Sequence, residues 1–248
     1  MRILETCISP ELIHLYDLKD KTVVIVDIFR ASSTMVTALS SGVESIMPVE
    51  DLEICRSFKN KGWLIAGERN GKKADGFDLG NSPLSYLNGK YQGCKIAMTT
   101  TNGTKAIVLA KAAANEVLIG SFLNLSTTAK YIKSRENDVL ILCAGWKGKY
   151  NIEDALFAGA LSLGLNFHHD CDATLAMETL YQTAENNLLS FLKKASHAKR
   201  LQNHQLEKDI DFCLARDQFD TLVKLYGDQL KLTSTDIQKS GTNLPKFP

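Results

Sequence analysis

The sequence predicts an α/β fold, a mostly parallel sheet flanked by helices in three layers. Apolar runs of four to eight residues, rich in Val and Ile, alternate with helical patterns from residue 2 to about 170. Several runs, Val23-Val24-Ile25-Val26 among them, are continuously apolar, as strands buried on both faces are. Four of them end in polar turns that lead into helices, the place where open α/β sheets bind ligands. Beyond residue 172 the pattern becomes almost continuous helix, which predicts a helical C-terminal part covering the core.

Taken in order, residues 2–8 read as a first short strand, and Ser9-Pro10 starts a helix or turn, with proline near the first helical position. Residues 22–28 are the next strand, 33–39 a helix ending near Gly42, and 43–49 a returning strand. A surface helix is expected over 51–61 and a strand over 62–66, running into Gly67-Glu68-Arg69. Residues 72–83, with Gly76, Asp78, Gly80, Asn81 and Ser82, lack periodicity and read as a long loop, a length that often carries function. A buried strand at 94–98 then delivers Thr99-Thr100-Thr101-Asn102-Gly103-Thr104 to an alanine-rich helix over 105–114. A strand at 116–119, a helix from 121 to about 135, a very apolar strand at 138–145 and a helix from 152 complete the core. The Ser, Thr, Asn and Pro of the last residues predict a frayed end. The chain reads as a single α/β unit, with lobes at 1–171 and 172–248 as the alternative division.

Composition narrows the function. The 248 residues suffice for a large core without cross-links. The 29 Lys and Arg balance 28 Asp and Glu, so no overall field favours nucleic acid or an anionic membrane. The six cysteines are never closer than 28 residues, which excludes a Cys-x-x-Cys motif and reads as reduced thiols in a cytoplasmic protein. No signal peptide is expected, and no apolar segment reaches the roughly 20 residues that span a bilayer. A small-molecule partner follows, and a homo-oligomer stays open.

The candidate chemistry lies at the strand ends. Residues 23–34 bring Asp27, Arg30, Ser32 and Ser33 to the start of a helix; the plain alternative is a serine cap with Asp27 bonded to the turn. Residues 99–104 combine hydroxyls, an amide, a close-approach glycine and a helix N-terminus, which suits a phosphate, although an ordinary threonine-capped turn has the same composition. Asp27, Glu68, Asp78, Glu153 and Asp154 are the available carboxylates, and magnesium often needs only one or two of these. Glu153 and Asp154 also suit the first turn of a helix, where acids meet the positive end of its dipole. Arg30 and Arg69 are each able to grip an oxyanion through two parallel hydrogen bonds, or to neutralise the neighbouring acid. The cluster His168, His169, Asp170, Cys171 and Asp172 lacks metal-ligand spacing and reads as a solvated loop. His197 and His204 read by default as helix-surface residues, though His197 is placed to reach an anion from a covering helix. Cys143 reads as a core thiol.

These segments, taken together, resemble the 2-phosphosulfolactate phosphatases of the ComB type. The resemblance rests on Val-Asp-Ile-Phe-Arg-Ala-Ser-Ser-Thr at 26–34, Ala-Gly-Glu-Arg at 66–69 and Gly-Phe-Asp-Leu-Gly-Asn-Ser-Pro at 76–83. It continues through Thr-Thr-Thr-Asn-Gly-Thr at 99–104, Gly-Ser-Phe-Leu-Asn at 120–124, Cys-Ala-Gly at 143–145 and Glu153-Asp154, with Ser196-His197 as a weaker match. It implies a magnesium-dependent hydrolase that converts 2-phospho-3-sulfolactate to 3-sulfolactate and phosphate on a route to coenzyme M. On this reading the metal is held by Asp27 and Glu68, or by Asp27 with Asp78 or Asp154. Arg30 and residues Thr100, Thr101, Asn102, Gly103 and Thr104 hold the phosphate, Arg69 the sulfonate or carboxylate, and Ser32 and Asn81 are further substrate-binding residues. Asp27 is either the metal ligand or a nucleophile. The rival expectation is a non-catalytic receptor for a small phosphorylated or sulfonated acid.

Overall fold

The computed structural model describes residues 1–69, 72–202 and 206–233. Its strands are β1 (Leu4–Cys7), β2 (Thr22–Val26), β3 (Ser45–Pro48), β4 (Leu64–Arg69), β5 (Lys72–Lys73), β6 (Lys95–Thr99), β7 (Glu116–Gly120), β8 (Val139–Cys143), β9 (Val223–Tyr226) and β10 (Gln229–Leu232). They form one sheet in the order β1-β8-β2-β7-β9-β10-β3-β6-β4-β5. The helices are α1 (Ala31–Ser40), α2 (Leu52–Ser57), α3 (Gly103–Lys111), α4 (Leu125–Lys133), α5 (Ile152–Leu165), α6 (Asp172–Ala184), α7 (Leu188–Leu192), α8 (Ser196–Gln202) and α9 (Glu207–Leu214). None among the described residues is long and apolar enough to cross a membrane.

The three layers follow from the alternation of side chains along each strand. On β2, Val23 and Ile25 pack with Met35 and Leu39 of α1 and with Ala106 and Ile107 of α3. Val24 and Val26 point the other way, against Phe157 and Leu161 of α5, Met177 and Tyr181 of α6, and Ile210 of α9. The continuous apolar run is therefore what a strand covered on both faces requires. Close approach needs small residues. A Cβ on Gly159 would lie 2.1 Å from the Met177 carbonyl oxygen, so glycine lets α5 and α6 touch.

The sheet has two parallel blocks, β1-β8-β2-β7 and β3-β6-β4. They are joined by the hairpin of β9 and β10, antiparallel to each other, to β7 and to β3. This corrects one expectation. The C-terminal part is a helical cover and also supplies the centre of the sheet. Three antiparallel steps separate the two parallel blocks along the ladder, yet the expected strand-end turns after β2, β6 and β8 do come together, with Gly103 against Asp27 and Asp154 bridging Ile28 and Gly145. Residues 62–66 also extend to Arg69, because β4 pairs with Lys72 and Lys73 inside the expected long loop. The expected frayed end, apart from its first residues, and His204 lie outside the described residues.

Glu116 ties the hairpin to the older core. Its buried carboxylate accepts hydrogen bonds from Thr22 Oγ1 (2.7 Å), Tyr131 Oη (2.9 Å) and Lys224 Nζ (2.6 Å). Burial opposes its charge, but those three donors win and hold the carboxyl below the usual range, while Glu116 holds the Lys224 ammonium above its own. Both shifts stabilise the folded state. The Glu116 contribution is present above its unfolded-state value and is lost as pH falls through the lowered one; the Lys224 contribution is lost as pH rises through the raised one. Glu116→Gln should therefore cost about 2 kcal/mol at pH 7, in the range for hydrogen bonds to charged groups, with the deficit shrinking in acid. Urea unfolding of both proteins at pH 7 and pH 4 measures it.

Candidate functional site

Asp27 follows β2 by one residue and is 8% exposed. Its position is fixed by the start of α1. Ser32 N and Ser32 Oγ both donate to the Asp27 carbonyl (2.9 Å each), and Ala31 N donates to Asp27 Oδ1 (3.3 Å). Of the plain alternative only the bond from the turn to Asp27 is present: Arg30 is the N-cap of α1 without a side-chain cap hydrogen bond, and Ser32 and Ser33 lie inside the helix. Burial is the main cause that pushes that carboxyl up to about 6; His197 and the Ala31 N–H pull it back, while Glu153 and Glu68 push it further. Like charges therefore converge here from β4 and α5.

Asp154 clamps two loops. Its Oδ1 accepts from Ile28 N (2.9 Å) and its Oδ2 from Gly145 N (3.0 Å), which joins the turn after β2 to the turn after β8. Burial first, then Glu153 and Asp27, hold its carboxyl well above the usual carboxylate range. Gly145 has φ +59°, and a Cβ there would lie 2.3 Å from the Lys149 carbonyl oxygen, so the turn closes tightly. Lys147 N in the same loop donates to Asn102 Oδ1 (3.1 Å), which brings residues 99–104 to the edge of the site.

That turn is built differently from a row of open hydroxyls. Thr100 and Thr104 spend theirs on each other's backbone: Thr104 N donates to Thr100 Oγ1 and Thr104 Oγ1 to the Thr100 carbonyl, both at 3.1 Å. Thr99 Oγ1 donates to the Glu50 carbonyl. The Thr101 hydroxyl is buried without a partner among the described residues, as is Asn81 Oδ1. Gly103 packs directly on the carboxylate, since a Cβ there would lie 2.7 Å from Ala31 Cβ and 2.8 Å from Asp27 Oδ2. The turn reaches Asp27 through this contact between α1 and α3.

The arginines are engaged by protein. Arg30, whose peptide bond with Phe29 is cis, is buried and pairs with Asp209 of α9, which also accepts from Ser82 Oγ (2.7 Å). Arg69 donates to the carbonyls of Glu68 (2.7 Å) and Glu50 (3.3 Å) and to Thr99 Oγ1 (3.1 Å). Arg30 thus holds the C-terminal cover on the site, and Arg69 braces the ends of β4 and β6. Asp78 is not gathered with the other acids: its two oxygens accept from Lys59 Nζ and Ile65 N, both at 3.0 Å, and these donors hold its carboxyl below the usual range against a burial cost.

Glu153 and His197, which the sequence offered both as helix features and as site candidates, form a pair. Glu153 is 1% exposed, and its Oε1 lies 2.5 Å from His197 Nδ1 on α8, where Asn151 Nδ2 also approaches at 3.3 Å. The Glu153 Oε2 atom is buried without a partner among the described residues. The weak Ser196-His197 match was the signal for this pair. Cys143 is a core thiol, pushed far up by burial. His169 faces Glu178 at 3.3 Å and His168 faces Asp170 at 3.4 Å, both away from these acids.

Buried acids, a hydroxyl and a helix start thus meet at one place, an arrangement suited to an oxyanion and a cation together. The sequence model of the family described as 2-phosphosulpholactate phosphatase matches residues 7–228. A protein of Thermotoga petrophila named probable 2-phosphosulfolactate phosphatase is 43% identical over 205 residues, 83% of this chain and 89% of that protein. Its namesake in Thermotoga maritima is 44% identical over the same shares, and one from Caldanaerobacter subterraneus is 43% identical over 84% of this chain and 89% of its own length. The chain belongs to the 2-phosphosulfolactate phosphatase family, a family of phosphoric monoester hydrolases.

Proposed function

We propose that the protein hydrolyses the phosphate ester of a small 2-phospho acid, 2-phospho-3-sulfolactate, to 3-sulfolactate and phosphate, with a magnesium ion at the Asp27 site. The observation that carries this reading is the convergence of Asp27, Glu68, Glu153 and Asp154 beside the 99–104 turn. The donor set fits magnesium. It is all oxygen, and burial, with Glu153 and Glu68 adding to it, disfavours the charge on Asp27 that a bound cation would compensate. Among the described residues no three His, Cys, Asp or Glu side chains are grouped to hold a metal alone, and magnesium needs only one or two carboxylates beside water and phosphate oxygens. Asp27 and Glu68 would hold it. When bound, the ion offsets charge on the phosphoryl oxygens as the ester bond breaks.

The remaining work falls to the chain. The Thr101 hydroxyl and the backbone at the start of α3 receive the phosphate, with Gly103 allowing it close to Asp27. Asp154 keeps the two loops at fixed separation, so that the attacking water and the phosphorus are aligned. Arg69 supplies positive charge beside the substrate's other anionic groups, and Arg30 with Asp209 excludes solvent from above.

A receptor without turnover would use the same pocket, but an anion receptor gains nothing from carboxylates that repel its ligand. Phosphate release from a panel of 2-phospho acids separates the two. The expected result is release from 2-phospho-3-sulfolactate with Mg²⁺ and a loss of at least about 100-fold in EDTA, as when a metal's charge stabilisation is removed. No release from any ester identifies a receptor.

A further inference from the structure

We infer that His197 delivers the proton to the leaving ester oxygen, positioned by Glu153. This rests on the phosphatase reading above and adds a residue to it. The imidazole is buried, 7% exposed, with its ring edge-on to Phe29 at 5.9 Å between centroids and tilted against Trp146 at 5.7 Å. Phe29 follows β2, Trp146 follows β8 and Glu153 begins α5, so three elements of the site fix one ring. The groups facing it are Glu153, Asn151 and the Asp27 charge.

The contacts divide the two nitrogens. Nδ1 lies 2.5 Å from Glu153 Oε1, the shorter of its two polar contacts, and on this inference it donates to that carboxylate. Nε2 has no partner among the described residues. A buried carboxylate that orients an imidazole by one nitrogen leaves the other to exchange protons with a reactant. The partner Oε2 of Glu153 is itself buried and unbonded among the described residues, so within them the ring is its only counterpart.

The need for such a donor lies in the substrate. In a loose phosphoryl transfer, negative charge grows on the leaving oxygen, and the alkoxide of a 2-hydroxy acid leaves poorly without a proton. The bond between water oxygen and phosphorus forms as that between phosphorus and the ester oxygen breaks. The electron pair stays on the ester oxygen, which takes the Nε2 proton and departs as the hydroxy acid. The attacking water keeps one proton in the phosphate and releases the other, and the latter restores His197 through solvent.

The kinetic isotope effect of ¹⁸O at the bridging ester oxygen reads this step directly, measured by competition on kcat/KM with 2-phospho-3-sulfolactate and Mg²⁺. In wild type the effect should be small, because the leaving oxygen gains a bond to hydrogen as it loses one to phosphorus. His197→Gln should lower kcat/KM by about 10²- to 10³-fold, as for lost general acid catalysis, and raise the isotope effect. Glu153→Gln, which keeps shape and one acceptor, should move both in the same direction by less, and gives the same readout if the first variant folds poorly. A slower variant with an unchanged isotope effect assigns His197 a structural role and overturns the inference alone. A wild type that hydrolyses nothing overturns the phosphatase reading together with it.

Discussion

Asp27→Asn should abolish phosphate release, with a fall of at least about 10³ in kcat, while making the metal-free protein more stable at neutral pH. The activity loss follows from removing a charge at the point where the acids, Gly103 and the start of α1 meet. Stability moves the other way because of the raised carboxyl. With a folded value of about 6 against an ordinary value of 3.8, the ionised form is disfavoured by burial and by its acidic neighbours. For an acid raised in the folded state, the penalty is absent below the unfolded value, grows between the two and is complete above the folded one. At pH 8 it amounts to about 3 kcal/mol. Asparagine removes the charge and keeps the acceptor for Ala31 N. Urea unfolding in EDTA should therefore favour the variant at pH 8 and show no difference below pH 4, and saturating Mg²⁺ should reverse the order at pH 8 by binding wild type. A variant that is both inactive and less stable in EDTA would mean that Asp27 is there for the fold.

Gly103→Ala tests the contact between the turn and the carboxylate. The added methyl would sit 2.7 Å from Ala31 Cβ, which cannot move without α1, and 2.8 Å from Oδ2 of the buried Asp27 carboxyl, whose Oδ1 is held by Ala31 N. Overpacking of this kind costs about 1 to 3 kcal/mol, and a shift of the turn by even 1 Å is worth about 100-fold in rate. The matched control is Gly164→Ala in α5, where a Cβ meets nothing within 4 Å and φ is not positive. That change should leave kcat alone and add about 0.5 to 1 kcal/mol, the usual gain of alanine over glycine inside a helix. Steady-state kinetics and thermal unfolding of the two variants read both effects.

What the sequence reveals of this protein divides by distance along the chain. The strands β2, β6 and β8 are legible because burial on both faces demands continuous apolar runs, and each lies within two residues of the expected bounds. The central hairpin was also written locally, in the alternation Val-Lys-Leu-Tyr and Gln-Leu-Lys-Leu around Gly227 with φ +58°, but a helical reading of the whole C-terminal part concealed it. Asp27 was legible as an acid at a strand end. Its surroundings were not. Asp209 lies 179 residues from Arg30, and His197 lies 44 from Glu153, so no local pattern shows either pairing. The threonines of 99–104 illustrate the opposite limit, where composition suggested open hydroxyls, yet the turn consumes those of Thr100 and Thr104 internally and that of Thr99 goes to the Glu50 carbonyl.

The central claim is that phosphate chemistry takes place where Asp27, Glu68 and the turn of Thr101 and Gly103 meet. A crystal structure of the protein with Mg²⁺ and inorganic phosphate, the reaction product, tests it most directly. The expected structure has a phosphate at the start of α3 against the Thr101 hydroxyl, with the metal bound by Asp27 and Glu68. Phosphate bound elsewhere, such as the groove of about 610 Å³ lined by Lys130, Lys133 and Arg216, with Asp27 untouched, would contradict it.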